Sequence, residues 1–241
     1  ESVEGGHRWG RYSFIGIGYH ARVQVFRKVV RVEKPGETTA ETEHKGDPLA
    51  VLRDISDCYK LATFAEAPRM PAGFVGYMTY EMVSFFENIP NKLAADKSIA
   101  SFIIPQTLLV FDNAKHTVNC VELVLMDAAE DAGMQYEAAC VKLAKLRAMI
   151  NSYQGSTAAK NGTEDMNLRA FFEPQRYMDK VEKIKKHIYE GDIIQCVISQ
   201  LFVCDSPANP ISLYRAQRYI NPSPYMFFMD KIGRASCRER V

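Results

Sequence analysis

The sequence predicts an α+β fold rich in antiparallel sheet. Three observations point there: β-branched and aromatic runs crowd residues 12–32, two further strand-like runs flank a polar turn, and helical periods sit among hairpins instead of alternating strictly with strands. In order, residues 12–15, 21–26 and 29–32 read as a meander broken at Gly16, Gly18 and Arg27-Lys28. Asp47 is placed to cap a helix, Pro48 suits its first turn, and Leu49, Leu52, Ile55 and Tyr59 then share one face. Pro71-Ala72-Gly73 leads into a strand over 74–80. Residues 102–111 and 118–125 are expected to pair as a hairpin across Asp112-Asn113.

From about 127 to 150 the period turns helical, with Tyr136, Cys140, Leu143, Leu146 and Ile150 in register. Residues 151–167 are small and polar, a linker by composition and the expected domain boundary. Beyond it, 174–190 reads as an amphipathic helix with Tyr177, Val181, Ile184 and Ile188 inward, ended by Gly191. Residues 192–203 alternate as a strand, and Asn209-Pro210 opens a helix to about Tyr219. Asn221-Pro222-Ser223-Pro224 then forms a rigid turn into a strand over 225–229. The tail, 231–241, is basic without a hydrophobic period of either kind; it looks like a translated sequencing adapter and is expected to be non-native. Opening on Glu1 without an initiator Met, the chain is also expected to be cut at its start.

Composition bounds the function. The 241 residues suffice for one large domain or two small ones, and 47% hydrophobic with 24% charged residues excludes a disordered or collagen-like chain. A net charge of +1 without a basic patch argues against nucleic acid. Apolar stretches fall far short of the ~20 residues of a membrane helix. Six scattered cysteines, with no zinc spacing and no disulfide framework, suit a reducing cytoplasm. Phosphate-loop, H-E-x-x-H, G-x-S-x-G and EF-hand patterns are all missing, and the five histidines stand singly, as surface or structural histidines do. No metal site is expected.

Longer strings narrow the reading. Glu1-Ser2-Val3-Glu4-Gly5-Gly6 through Trp9-Gly10-Arg11-Tyr12-Ser13-Phe14-Ile15-Gly16 comes first, followed by Pro71-Ala72-Gly73-Phe74-Val75-Gly76-Tyr77. Gly191-Asp192-Ile193-Ile194-Gln195 and then residues 221–227 follow. In this order the blocks resemble the anthranilate synthase component I family of chorismate-utilising enzymes. The resemblance implies an antiparallel-sheet-rich regulatory domain over 1–150, the linker 151–167, and over 168–230 the start of a chorismate-binding α/β sandwich. It implies conversion of chorismate and ammonia to anthranilate and pyruvate in tryptophan biosynthesis, with Mg²⁺ and a glutamine amidotransferase subunit (component II) that delivers the ammonia. L-Tryptophan is implied as feedback inhibitor.

The site residues come from the same match. Glu1 and Ser2 fall at the end of the family's L-L-E-S motif, where a carboxylate and a hydroxyl can serve the polar groups of bound tryptophan. Asn221, Pro224, Tyr225 and Met226 fall in its second inhibitor-binding segment, a braced turn with side chains suited to an aromatic ligand. On the strand expected at 192–203, Gln195 shares a face with Ile193, Val197 and Ser199 and needs a partner there. Water-adding relatives, the isochorismate and salicylate synthases, carry at that position a Lys that activates water. A Gln amide lacks that basicity, so the resemblance makes Gln195 a substrate-site neighbour in an ammonia-using enzyme. The family's P-I-A-G-T segment, Mg²⁺-binding glutamates and chorismate-contacting His and Arg have no counterpart in this sequence, so the chain itself is expected to be inactive. The alternatives are a 4-amino-4-deoxychorismate synthase component I and a non-catalytic tryptophan-binding module. The regulatory reading requires Glu1-Ser2 and the segment around Tyr225 to lie together in the fold.

Overall fold

Strand β1 (Tyr12–Val25) runs straight through the two glycines expected to interrupt it. The chain absorbs them as an irregularity: Gly18 takes φ +65°, and the pairing register shifts between Tyr19 and Ala21. Its partner is β5 (Ala100–Asp112), antiparallel from Tyr12 opposite Asp112 to Val25 opposite Ala100. β2 (Val29–Glu33) folds back on β1 with Val30 opposite Val25, and β3 (Ala40–Glu43) adds to β2. The other edge of β5 takes two strands in succession: β4 (Val75–Met78) along its first residues and β6 (Thr117–Glu122) along its last. Among the described residues these make one six-stranded sheet in the order β3-β2-β1-β5-β4, with β6 also on β5. The mixed, antiparallel character is that of the predicted α+β class, and the expected hairpin forms with residues 113–116 as its turn.

The molecule is a computed structural model that describes residues 1, 10–62, 65, 67–68, 70–127, 129–153, 155, 167–204 and 209–229. Ser2, most of the expected linker and the tail 231–241 lie outside the described residues. The chain divides into two compact units, one of Glu1–Gly155 with Gln217–Val241 and one of Ser156–Ala216.

The core of the first unit follows from strand alternation. Ala21, Val23 and Val25 are buried while Arg22 and Gln24 between them are not, as a period of two requires. Val23 and Val25 meet Val30, Met82, Ile99 and Ala100, and Leu49, Val51, Leu52 and Ile55 pack against that cluster. Those four belong to helix α1 (Pro48–Asp57), which starts where the sequence places it: Asp47 accepts a hydrogen bond from the Ala50 amide at 3.0 Å, and Pro48 fills the first turn. Met82 comes from a 3-10 helix, Tyr80–Phe85. Between β4 and β5 the backbones approach so closely at Gly76 that a Cβ would lie 2.6 Å from Phe102 Cα, which explains the glycine.

Helix α2 (Ala132–Ser152) forms, and the residues in register divide between its two sides. Leu143 and Leu146 are half-buried, whereas Tyr136 and Cys140 are exposed. Polar anchors also tie the helix down. The Gln135 side chain donates to the Asp127 carbonyl at 2.9 Å and accepts from the Asp127 amide at 3.1 Å, and Lys142 reaches Glu122 of β6 at 3.1 Å. Glu122 also accepts from Thr107 and Gln106, so the helix docks on a carboxylate already held by the sheet.

In the second unit, α3 (Pro174–Tyr189) and α4 (Pro210–Ile220) match expectation, and Gly191 ends the first of them with φ +84°. The last turn of α4 belongs to the first unit. Two expected strands need correction. Of 192–203, only Phe202–Val203 (β8) pairs, with Arg169–Ala170 (β7), and the rest is irregular. Alternation creates two faces but supplies no ladder partner, and no described strand runs beside 193–201. Residues 225–229 likewise form no strand; they continue irregularly from the proline turn. Among the described residues no helix is long and apolar enough to cross a membrane.

Candidate functional site

The last turn of α4 delivers the chain into a braced turn. The Asn221 amide donates to the Gln217 carbonyl at 2.9 Å, closing the helix, and Pro222 and Pro224 then forbid its continuation. Tyr225 stands at φ +58°, a left-handed conformation that a bulky residue adopts at a cost and that here reverses the chain. The reversal sorts the side chains. Ser223 and Met226 turn inward, Met226 to 1% exposure, while Asn221, Pro224 and Tyr225 face outward, Tyr225 at 60%.

Glu1 meets this turn. Its backbone nitrogen donates to the Met226 carbonyl at 2.8 Å, across 225 sequence positions, and its carboxylate accepts from Arg218 Nε at 2.9 Å. The structure therefore brings together Glu1, Met226 and, through the turn, Pro224, Tyr225 and Asn221. The juxtaposition demanded by the regulatory reading is present for Glu1; Ser2 lies outside the described residues. Arg218 was not singled out from the sequence. A basic residue in the final turn of a helix is the usual complement to its C-terminal carbonyls, so nothing local distinguishes it. Chemically the cluster offers one carboxylate, one guanidinium, an exposed phenol ring and a buried thioether beneath a fixed turn. Charged and aromatic groups so arranged suit a zwitterion carrying a flat side chain.

Gln195 lies in the second unit, exposed, in the irregular stretch after Gly191, and not on a sheet face. The partner that a half-buried strand glutamine would need is accordingly not demanded here. Next to it in sequence, His187, Glu190 and Asp192 bring potential ligand atoms within 4.8 Å of one another. These residues do not fit Mg²⁺, which takes oxygen ligands in near-octahedral array. One of the three ligands is an imidazole, His187 Nδ1 already pairs with Asp192 at 2.8 Å, and Glu190 faces Lys186 at 3.6 Å. His44, by contrast, is a satisfied structural histidine. Its Nδ1 accepts from the Gly46 amide at 3.1 Å, which leaves Nε2 to donate to the Phe26 carbonyl at 3.0 Å.

Comparison with known proteins gives the site its context. Residues 15–236 match the family model for chorismate binding enzymes. Over 236 residues the chain is 33% identical to anthranilate synthase component 1 of Pseudomonas putida, covering 95% of this chain and 47% of that protein. The Pseudomonas aeruginosa protein of the same name gives the same figures, and that of Acetivibrio thermocellus is 29% identical over 238 residues. The chain thus spans about half the length of the curated relatives it matches. The crystal structure of anthranilate synthase component I from Streptococcus pneumoniae TIGR4 superposes with a TM-score of 0.67 at 23% identity, covering 95% of this chain and 51% of that one, and shares its fold.

Proposed function

The chain belongs to the chorismate binding enzyme family, and from that premise we propose that it is the regulatory and opening part of an anthranilate synthase component I. The parent reaction joins ammonia, delivered by a component II glutamine amidotransferase, to chorismate and releases pyruvate and anthranilate. In this reading residues 1–150 form the regulatory domain, and the part from 168 to 230 opens the chorismate-binding domain, with Gln195 near the substrate. Mg²⁺ is held by residues in the half of the relatives' length that this chain does not span, and the enzyme works in the cytoplasm. The chain alone therefore leaves chorismate unchanged.

The observation that carries the regulatory part is the contact between Glu1 and the Met226 carbonyl beside the left-handed Tyr225. Glu1 and Ser2 serve the polar groups of L-tryptophan, Tyr225 and Met226 border its indole, and Asn221 and Pro224 fix the turn that presents them. Titration calorimetry of the purified chain with L-tryptophan tests this: one-to-one binding is expected, and the absence of heat at any concentration overturns it. Anthranilate fluorescence with chorismate, Mg²⁺ and ammonium present checks the second part. No product is expected from this chain, and turnover would refute the assignment of the catalytic groups to the uncovered half.

A further inference from the structure

Helix α3 ends in a turn that gathers three donors of two kinds. His187, in the last turn, and Glu190, at the cap, lie three residues apart and so are neighbours on one face. Gly191, at φ +84°, then reverses the chain and brings Asp192 back beside them. Three backbone bonds hold the reversal: the Glu190 amide donates to the Lys186 carbonyl at 2.9 Å, Gly191 to Ile188 at 3.2 Å and Asp192 to His187 at 3.0 Å. One imidazole nitrogen and one oxygen of each carboxylate then lie within 4.8 Å of one another, His187 half-buried and the two acids exposed. The final carbonyls of a helix carry partial negative charge, so together with two carboxylates they favour a cation at this place.

Donor type selects the ion. An imidazole with two carboxylates suits Zn²⁺ and its neighbours in the first transition row better than the hard cations Mg²⁺ and Ca²⁺. Around a tetrahedral ion ~2.1 Å from each ligand the donors stand roughly 3.4 Å apart. That spacing falls between the 2.8 Å of the His187–Asp192 hydrogen bond and the 4.8 Å outer limit, so shifts within the reach of exposed side chains close the set. The ion takes the place of the proton between His187 Nδ1 and Asp192, and the imidazole keeps its proton on Nε2. Lys186 stands 3.6 Å from Glu190, and an exposed pair at that distance yields readily to a divalent ion.

We infer that His187, Glu190 and Asp192 bind a divalent transition-metal ion of the zinc type, with water completing its shell. The inference does not depend on the proposed tryptophan site. An ion held there ties the end of α3 to the stretch that carries Gln195. Spacing alone does not announce the site, because His187 and Glu190 are an ordinary helical pair and Asp192 joins them only through the turn at Gly191.

The test titrates Zn²⁺, and separately Mg²⁺, by calorimetry into the full chain after treatment with EDTA, beside His187→Gln, Asp192→Asn and Cys196→Ser. Cysteine thiolates also take zinc, so the result is read as a difference between chains. His187→Gln and Asp192→Asn are each expected to weaken one Zn²⁺-binding event roughly tenfold or more, since changes to groups that merely support a ligand already cost that much. Cys196→Ser leaves that event in place, and Mg²⁺ gives none of comparable affinity. In imidazole nitrogen NMR, Zn²⁺ moves the Nδ1 resonance of His187 and leaves Nε2 protonated, and amide exchange over 188–192 slows. Equal Zn²⁺ binding by the unmodified chain and both ligand variants overturns the inference. So does Mg²⁺ binding as tight as Zn²⁺ binding, the mark of an ordinary acidic surface, and so does a His187 ring that Zn²⁺ leaves unmoved.

Discussion

The two units answer the same kind of sequence pattern differently. In the first, each long alternating run meets another: β1 lies against β5 over almost its full length, and Val23, Val25, Val30, Ile99 and Ala100 close into a core under α1. In the second, 192–203 alternates as clearly, yet Ile194 is 98% exposed and Val197 83%, and none of the described residues of that unit is fully buried. The difference is one of partners and not of propensity. A strand becomes a strand when a neighbour accepts its amides and covers its apolar face; without both, the run stays irregular whatever its period. The stability of the chain should therefore reside in the first unit.

Matched truncations probe that contrast most strongly. Ile99→Ala removes a fully buried side chain from the cluster beneath α1 and should cost about 3 kcal/mol, read from denaturant unfolding. Ile194→Ala in the second unit should change stability by no more than about 0.5 kcal/mol, because its side chain buries nothing. Comparable losses at both positions would mean that the irregular stretch is packed after all, and the contrast between the units would fail.

Two glycines extend the comparison at a smaller scale. Gly76→Ala drives a methyl group into the backbone of β5 and should cost roughly 2 kcal/mol with loss of β4 pairing, visible as faster amide exchange over 75–78. Gly191→Ala meets open space and pays only for its left-handed backbone, about 1 kcal/mol. A reversed order would show that β4 is loosely held and that the close approach is of no consequence.

What the sequence could say follows the same division. The β1–β2 and β5–β6 pairs are legible because each run's alternation is answered by its neighbour in sequence, and α1 because Asp47-Pro48 is a local start signal with its own hydrogen bond. Which side of α2 packs is less legible, because Gln135 and Lys142, polar residues that a hydrophobic period ignores, also tie the helix down. The 3-10 helix at Tyr80–Phe85 is too short to carry a period at all. At the candidate site, the meeting of Glu1 with Met226 spans nearly the whole chain, and only resemblance to a family, not spacing, could suggest it. Arg218 escaped even that, since its pairing depends on where Glu1 lands.

The smallest effect concerns two carboxylates. In the first unit Asp112 receives Arg11 through two nitrogens, at 3.0 and 2.8 Å, and accepts from the Ala114 and Lys115 amides at the β5–β6 turn. Hydrogen bonding from Arg11 is the chief cause that lowers its pKa from 3.8 to about 2. A carboxylate depressed in the folded state contributes stability that is fully present above its unfolded pKa and is lost as pH falls through the folded one. Thermal midpoints of the unmodified chain should accordingly decline between pH 3.8 and about 2, on top of whatever other carboxylates contribute. Asp112→Asn should lower the midpoint at neutral pH and flatten that part of the profile, bringing the two proteins together at the acid end. Asp192, exposed beside His187 in the second unit, has no such network, and Asp192→Asn should leave the neutral-pH midpoint nearly unchanged. Parallel profiles for Asp112→Asn and the unmodified chain would show that the Arg11 pair persists without a charge on residue 112.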